Sequence, residues 1–226
     1  MLMRVLETGM FHPNCYMVGD EKAGECVLFD PGASISKLKA FIDENGMKVK
    51  YIVLTHAHFD HVMAAPAIQE YTGAQLLIHA KDAPLLSPEN PEANRRNYLR
   101  EVISKGDVRD YEYKMPRVDR MLSDGDTFEV GELTFTVLNT PGHTAGSCTF
   151  ICGDVMISGD TLFKDACGRW DMTSGSEDDM MHSLCRLHDL EGDYRVFSGH
   201  GAPTTLEAER QNNFYMRTAL TKCGKK

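Results

Sequence analysis

The chain has 226 residues, of which 42% are hydrophobic and 25% are charged, as in an average soluble globular protein. Its 33 acidic residues exceed its 24 lysines and arginines, and the net charge of -9 argues against a nucleic-acid-binding or membrane-surface protein. No apolar run reaches the roughly 20 residues of a membrane span, and the N-terminal segment lacks the apolar stretch of a signal peptide. Seven cysteines without a dense disulfide spacing favour a reducing cytoplasm.

Up to about residue 80, short runs rich in β-branched, aromatic and leucine residues alternate with helical patterns. Strands are predicted at Leu2–Leu6, Cys15–Val18, Cys26–Phe29, Tyr51–Leu54 and Gln75–Ile78. A helix is predicted from Ser34 to Asn45, and Gly46 ends it. A second helix is expected over His61–Tyr71.

The segment from about residue 84 to residue 119 combines early prolines with many charges, and its only helical pattern is Asn97–Ile103. We interpret it as an insertion within a single domain that spans residues 1–226. Its composition fits a lid over an anionic substrate and equally a solvated loop or a dimer contact.

Strand patterns return in the second half at Thr127–Val130, Thr134–Leu138, Cys148–Cys152, Val155–Ile157 and Arg195–Phe197. Two capping boxes predict helices: Ser174 with Glu177 begins one that runs to about Leu190, and Thr204 with Glu207 begins a terminal one that runs to about Leu220. Two blocks of strands, each followed by helices, favour an α+β fold with two mixed sheets face to face and helices outside, an αββα sandwich. The pattern also allows an ordinary α/β sheet.

The segment THAHFDH follows the apolar run YIVL and places three imidazoles and one carboxylate within the six residues His56–His61. Imidazole nitrogens and carboxylate oxygens are ligands that zinc prefers in proteins. His56 and His58 are two apart, so in an extended chain they share a face and suit one cation. His61 belongs to a second ion or follows a turn, so the segment favours a two-metal site.

Three further residues can complete the ligand set: His143 in TPGHTAGS, Asp160 in ISGDTLF and His200 in FSGHGAPT. Each follows an apolar strand pattern and lies beside glycine, which lets the backbone turn sharply close to an ion. Each alone is more typical of a turn or hydrogen-bonding residue. Their joint occurrence predicts metal ligands.

The motifs HAHFDH, TPGHTAGS, GDTLF and GHG, in this order, resemble those of the metallo-β-lactamase-fold hydrolases, and within them the small glyoxalase II-like (hydroxyacylglutathione hydrolase-like) enzymes. The resemblance spans nearly the whole chain and has weaker support in NCYMVGDE and FDPG. It implies a binuclear centre of two divalent metal ions, most often zinc, with iron or manganese as alternatives.

The resemblance also implies a role for each ligand. The positions matching His56, His58 and His143 bind the first ion, those matching Asp60, His61 and His200 bind the second, and Asp160 bridges the two. Asp60 is the expected catalytic carboxylate. A hydroxide shared by the two cations would attack the substrate carbonyl, and the cations would hold the oxyanion.

The leaving group favours one substrate class. A thiolate leaves with little general-acid help, whereas an amine needs a proton donor, so a thioester is the least demanding substrate. We therefore expect a hydrolase of a small-molecule thiol ester, acting as a monomer or homodimer, with no nucleic-acid or membrane partner.

The segment ACGRWDM resembles the CGR stretch near the active site of glyoxalase II-like hydrolases and of persulfide dioxygenases. Arg169 is a candidate to bind a substrate carboxylate and Trp170 to line the pocket, although a structural role also fits both. Cys167 is expected to be a buried, inert thiol.

Rival functions share these motifs. A persulfide dioxygenase would bind one iron through the positions matching His56, His143 and Asp160. A lactonase or β-lactamase would be a different hydrolase, and a non-catalytic metal-binding protein would keep the ligands without turnover. An RNA-processing nuclease fits least, because the chain is acidic and lacks an RNA-binding appendage.

Overall fold

The computed structural model describes residues 1–9, 11–87 and 114–224. The chain divides into two compact units: the first comprises Met1–Met121 and Glu129–Leu133, and the second comprises Leu122–Phe128 and Thr134–Lys226. Among the described residues, none of the helices has the length and hydrophobicity of a membrane-spanning segment. Most of the predicted insertion at 84–119, including the helix expected at Asn97–Ile103, lies outside the described residues.

The first unit is built on a six-stranded mixed sheet whose strands follow one another in chain order. They are β1 (Leu2–Glu7), β2 (Asn14–Asp20), β3 (Glu25–Phe29), β4 (Lys48–Val53), β5 (Gln75–His79) and β6 (Arg120–Leu122). The pairs β1–β2 and β2–β3 are antiparallel, whereas β3–β4 and β4–β5 are parallel. The carboxyl ends of β3, β4 and β5 therefore share one edge of the sheet.

The helices of the first unit are α1 (Ile35–Asn45), α2 (Phe59–Val62) and α3 (Ala65–Thr72), followed by a 3₁₀ turn at Ala83–Leu86. Gly46 ends α1 in the left-handed conformation, as predicted. The single helix expected at His61–Tyr71 is instead divided between α2 and α3. The amide of Ala64 donates to the carbonyls of Pro31 and Gly32, so it does not continue the helical ladder.

The second unit contains a six-stranded mixed sheet in the order β14–β13–β10–β9–β8–β7. Its strands are β7 (Thr127–Val130), β8 (Leu133–Asn139), β9 (Cys148–Cys152), β10 (Val155–Gly159), β13 (Arg195–Ser198) and β14 (Thr204–Thr205). β9 is antiparallel to both β8 and β10, and β10 is parallel to β13. β8, β10 and β13 thus run in one direction and end at one edge.

A small hairpin of β11 (Leu162–Phe163) and β12 (Ala166–Cys167) follows β10. The sequence did not predict it, nor β6 and β14, because strands of two or three residues are too short to show alternation. The expected α+β class with two mixed sheets is confirmed.

The helices of the second unit are α4 (Glu177–His188), α5 (Leu206–Asn212) and α6 (Phe214–Lys222). The predicted capping residues were wrong by one or two positions. Ser176 caps α4 by accepting from the amide of Asp179, and Thr205 caps α5 by accepting from the amide of Ala208.

The terminal helix predicted up to Leu220 is two helices. Asn213 separates them, because its backbone is extended and its side chain accepts from the amides of Tyr215 and Met216 to cap α6. The sequence spacing also did not predict the disulfide between Cys185 of α4 and Cys223, 38 residues apart.

Each unit has its own hydrophobic core. In the first, Leu38 of α1 and Ile68 of α3 pack on sheet residues such as Ile52, and all three are fully buried. In the second, Leu184 of α4 and Met216 of α6 belong to a cluster of the same kind. Burying each such side chain contributes about 1.5–3 kcal/mol, so the sheets are firm supports for the loops at their edges.

Candidate metal centre

In the first unit, three buried polar residues follow the three parallel strands. Asp30 comes directly after β3, His56 follows β4, and Asp82 follows β5. Their exposed fractions are 2%, 0% and 0%, respectively. Because the carboxyl ends of these strands share one edge of the sheet, residues that are distant in sequence come together there.

Asp30 organises this edge through its carboxylate. Its Oδ1 accepts from the backbone amide of Thr55 at 2.7 Å, and its Oδ2 accepts from the Thr55 hydroxyl at 2.7 Å. The same Oδ2 lies 2.9 Å from Nδ1 of His61, which is fully buried. One carboxylate therefore holds both the start of the THAHFDH segment and its last histidine.

These hydrogen bonds determine which ring nitrogens carry protons. A carboxylate only accepts, so we assign the proton of His61 to Nδ1, which leaves the lone pair on Nε2. The Thr55 hydroxyl donates to Asp30, so its oxygen accepts from Nδ1 of His56 at 3.0 Å. Both histidines thus present Nε2 as the nitrogen suited to a metal ion.

The other predicted ligands of this segment lie beside them. The ring of His56 is centred 4.7 Å from that of His58 and 4.3 Å from that of His61. Oδ2 of Asp60 lies 3.7 Å from Nε2 of His61. The first unit thus brings together His56, His58, Asp60 and His61, and we call these four residues with Asp30 and Thr55 the Asp30 cluster.

Two close contacts hold the backbone of the cluster. Asp82 accepts from the amide of Ala57 at 2.9 Å, which fixes the turn between the first two histidines. Gly32 lies against the carbonyl of Asp60, where an added Cβ would be 1.9 Å from the oxygen. A side chain at residue 32 would therefore displace the segment that carries the predicted ligands.

In the second unit, the three remaining predicted ligands lie at the edge where β8, β10 and β13 end. Asp160 directly follows β10, and one residue separates His200 from the end of β13. His143 lies in the turn after β8. Oδ2 of Asp160 is 3.4 Å from Nε2 of His143 and 3.6 Å from Nε2 of His200. We call these three residues the Asp160 cluster.

The orientation of His143 is set by the chain after the β11–β12 hairpin. Its Nδ1 donates to the carbonyl of Arg169 at 2.6 Å, so Nε2 carries the lone pair. The preceding Gly168 approaches Asp160 so closely that an added Cβ would lie 1.8 Å from its carbonyl oxygen. The CGR stretch thus supports two predicted ligands through its backbone.

The donor atoms fit a metal ion in type and in spacing. Two ligand atoms about 2.1 Å from a tetrahedral zinc ion are about 3.4 Å apart. The separations of 3.4, 3.6 and 3.7 Å within the two clusters are close to this value and longer than an ordinary hydrogen bond. Nitrogen and carboxylate oxygen donors of this kind suit zinc, iron and manganese.

Residues 8–200 match the family model of the metallo-β-lactamase superfamily. The chain belongs to this superfamily. The family binds divalent metals and consists mainly of hydrolases, and the expected metallo-β-lactamase fold is confirmed.

Two curated relatives cover almost the whole chain. An uncharacterised protein of Aquifex aeolicus is 34% identical over 94% of this chain and 96% of its own length. The hydroxyacylglutathione hydrolase GloC of Haemophilus influenzae is 26% identical over 96% of this chain and 99% of its own length.

Three solved structures resemble this metallo-β-lactamase-superfamily chain. BLEG-1, a B3 metallo-β-lactamase, superimposes with a TM-score of 0.82 at 28% identity, covering 95% of this chain and 99% of its own. TTHA1623 in a di-iron-bound form gives 0.78 at 32% identity, covering 94% and 99%. ETHE1 from Myxococcus xanthus gives 0.72 at 25% identity, covering 95% and 84%.

The two residues predicted to bind substrate have partners within the second unit of this superfamily member. Arg169 is exposed and forms two hydrogen bonds with Asp171, both 2.7 Å long. These bonds lower the pKa of Asp171 to about 2. Trp170 packs edge-on against Tyr215 of α6 and borders the hydrophobic core. Cys167 is partly buried and not fully buried as predicted, but burial still raises the pKa of its thiol to about 12, which fits an inert cysteine.

Sequence reasoning missed the residues that support the ligands. Asp30 was noted only as part of FDPG, and Asp82 and Thr55 were not singled out. A signal was present for Asp30, because an acidic residue at the end of an apolar strand beside proline and glycine is unlike a core residue. The role of the Arg169 carbonyl left no signal, because a backbone atom is common to every residue type.

Proposed function

We propose that this protein is a metal-dependent thioester hydrolase of the glyoxalase II-like type. The observation that carries the proposal is the orientation of the histidines in both clusters. In each oriented ring Nδ1 is held by a neighbour, so Nε2 is left as the metal-binding nitrogen. The relationship to a hydroxyacylglutathione hydrolase of nearly identical length supports the thioester class.

The proposed ligand set is the one that the family resemblance implies. His56, His58 and His143 hold one ion, Asp60, His61 and His200 hold the other, and Asp160 contributes to both. This assignment makes residues 1–226 one functional domain, with the segment at about 84–119 as an insertion. A divalent metal ion in such a site polarises a carbonyl and lowers the pKa of water.

Other side chains orient the proposed ligands and the attacking water. Asp30 and Thr55 keep His56 and His61 in one tautomer, so their Nε2 atoms are ready to bind without rearrangement. We assign the Asp60 carboxylate to orienting the attacking water, because it is partly exposed whereas Asp30 is buried. Water adds to the thioester carbonyl and the carbon–sulfur bond breaks, releasing a carboxylate and a thiolate, while the two protons of the water pass to the solvent.

A thioester suits the described residues better than an amide. Expulsion of an amine needs a proton donor, whereas a thiolate leaves unprotonated. The proposed ligands in the two clusters are carboxylates and histidines that a bound metal would occupy, and Asp30 and Thr55 are already engaged in hydrogen bonds that support them. We therefore propose a small-molecule thioester as substrate, hydrolysed by a monomer or homodimer.

The test combines elemental analysis with a thioester panel that includes lactoylglutathione. We expect about two divalent ions per chain and turnover that chelation abolishes and zinc restores. His58→Ala should lower turnover by more than about 100-fold, because it removes a proposed ligand and loss of a supporting residue alone typically costs about 10–100-fold. His182→Ala, an exposed histidine on α4, is the matched control and should leave turnover unchanged.

Two results would contradict the proposal. If no thioester is hydrolysed by protein that carries two ions, the thioester class is wrong and the metal site stands. A lactonase or β-lactam panel would then identify another hydrolytic substrate. If His58→Ala hydrolyses thioesters as fast as the unchanged protein, the catalytic assignment is wrong, and a non-catalytic metal-binding protein becomes the better description.

A second candidate is a persulfide dioxygenase, which the likeness to ETHE1 favours. Such an enzyme would use a single iron at His56, His143 and Asp160, and would leave Asp60 and His61 without a metal. One iron per chain together with oxygen uptake in the presence of glutathione persulfide would support it. Two ions per chain and no oxygen uptake would exclude it.

A further inference from the structure

A buried polar network in the second unit joins α5 to the hairpin that follows Asp160. Its centre is Glu209, a residue of α5 that is 1% exposed. One carboxylate oxygen accepts from the hydroxyl of Thr204 at 2.7 Å. The other accepts from the backbone amide of Asp165 at 2.8 Å and from Nδ2 of Asn213 at 2.8 Å. All three donors are neutral groups, so the network places a carboxylate in the interior through hydrogen bonds alone.

Asn213 connects the same hairpin to the next helix. It is fully buried, and its Nδ2 donates to the carbonyl of Ala166 at 2.9 Å as well as to Glu209. A longer contact of 3.4 Å joins Nδ2 to the carbonyl of Phe163. Both carbonyls belong to the paired residues of the hairpin. Glu209 and Asn213 therefore hold the turn of the hairpin from one side.

The hairpin, in turn, carries the chain between two parts of the Asp160 cluster. It begins two residues after Asp160 and ends two residues before Arg169, whose carbonyl orients His143. Gly168, just after the hairpin, lies against the carbonyl of Asp160 and donates to the carbonyl of Thr161 at 3.4 Å. A shift of the hairpin would therefore move the acceptor of His143 and the backbone of Asp160 together.

We propose that Glu209 and Asn213 are positioning residues that set the geometry of His143 and Asp160 through the β11–β12 hairpin. The assignment rests on the proposed function, in which His143 and Asp160 are metal ligands. The hairpin has only two residue pairs of its own. Its turn residue Asp165 has a left-handed backbone (φ 58°), and its amide is bound by Glu209. External hydrogen bonds thus hold a hairpin that is too short to be stable alone.

The test compares three variants of α5. Glu209→Ala removes the acceptor of Asp165 and Asn213, and we expect it to weaken zinc binding about tenfold in a chelator competition, as for other supporting residues of metal sites. Glu209→Gln should stay within threefold of the unchanged protein. Its amide oxygen can accept from the two donors, and its NH₂ group can face the Thr204 hydroxyl, which also accepts.

Leu206→Ala is the matched control for a loss of stability alone. Leu206 is fully buried in the same helix and contributes to the core. This variant should unfold at lower urea concentration than the unchanged protein, with zinc affinity unchanged. Equal losses of affinity in Leu206→Ala and Glu209→Ala would overturn the positioning role.

A second readout is independent of metal binding. Nitrogen-detected NMR of the histidine side chains reports which ring nitrogen of His143 carries the proton, and His143→Asn identifies its signal. In Glu209→Ala we expect the His143 Nδ1 proton signal to shift or disappear, whereas in Leu206→Ala it should stay. An unchanged signal in Glu209→Ala would overturn the inference, even in a protein that binds no metal.

A fourth variant, outside α5, covers the case in which Glu209→Ala does not fold. Asn213→Asp retains an oxygen that caps α6. It replaces Nδ2, which donates to the Ala166 carbonyl and to the Glu209 carboxylate, with a carboxylate oxygen that can only accept. We expect the same loss of zinc affinity and the same change at His143. A folded Asn213→Asp protein with wild-type affinity and an unchanged His143 signal would contradict the proposal.

Discussion

The Asp30 cluster and the Asp160 cluster each place predicted metal ligands at the edge of a sheet, but they are built from different parts of the chain. In the first unit, four predicted ligands lie within six residues, His56–His61, and the buried carboxylate of Asp30 orients two of them, His61 directly and His56 through Thr55. In the second unit, three predicted ligands come from three separate segments, and a backbone carbonyl orients His143. The first cluster depends on a local sequence motif, whereas the second depends on the register of a sheet and on a hairpin.

Despite this difference, the two clusters share one kind of backbone support. In each unit a glycine leaves no room for a side chain beside the carbonyl of an aspartate: Gly32 beside Asp60, and Gly168 beside Asp160. In each unit the segment that contains the glycine also orients a histidine, through Asp30 or through the carbonyl of Arg169. FDPG and CGR are thus equivalent supports of the two clusters.

The largest effect is expected from Asp30→Ala, which removes the support of the first cluster only. Three buried donors on Thr55 and His61 would lose their acceptor. Each loss costs about 1–3 kcal/mol, so we expect a decrease of about 4 kcal/mol in the free energy of unfolding. Urea denaturation measures it. Asp30→Asn is the control and should lose less, because its amide oxygen can still accept. A decrease below about 1 kcal/mol would show that the carboxylate does not organise the cluster.

The glycine pair tests whether the two supports are equivalent. Gly32→Ala and Gly168→Ala should each lower the free energy of unfolding by about 3 kcal/mol and reduce bound metal, because the new Cβ would overlap a carbonyl oxygen. Gly24→Ala and Gly153→Ala are the controls in the two units. Both have left-handed backbones and open space, so about 1–2 kcal/mol is expected with full metal content. Tolerance of one test variant and not the other would break the equivalence.

The smallest effect concerns Arg169 of CGR, a charged side chain that has no basic counterpart in FDPG. Asp171→Asn releases the Arg169 guanidinium from its carboxylate partner. We expect KM for an anionic thioester to fall about two- to fivefold, with kcat and stability unchanged, because an exposed ion pair contributes little to stability. Because the pKa of Asp171 is about 2, this carboxyl is charged above that pH and the effect should not vary between pH 6 and pH 9.

The control for this prediction is Asp154→Asn. It breaks a similar two-bond ion pair, between Asp154 and Arg195, elsewhere in the second unit. KM should not change in this variant. A KM that falls equally in both variants would show a general charge effect and would argue against Arg169 as the residue that binds a substrate carboxylate.

The sequence motifs indicate the proposed ligands of both clusters more readily than the residues that support them. His56, His58, Asp60 and His61 are dense enough in sequence to be recognised without a fold. His143, Asp160 and His200 were recognisable because each follows an apolar strand beside glycine. Apart from Asp30, the supporting residues have no such signal in the sequence, because their role depends on which strands pair in the folded protein.

The predicted elements show the same limit. Strands of four or more residues were found within one to three residues of their observed ends, whereas the two-residue strands of the β11–β12 hairpin were missed. The box of Thr204 and Glu207 was assigned to helix capping, although Thr204 binds Glu209 and Thr205 is the cap. Two threonines in succession offer the same hydroxyl, and only the packing of Glu209 distinguishes them.

The parallel strands have a consequence for how such a protein can change over evolutionary time. Each ligand segment leaves its sheet at the carboxyl end of a strand, after the residues that pair with neighbouring strands. Insertions beyond these points leave the pairing register intact, and surface loops tolerate added length at little cost. New substrates can therefore be acquired by remodelling the outer loops, while the strand pairing that places the histidines is inherited unchanged.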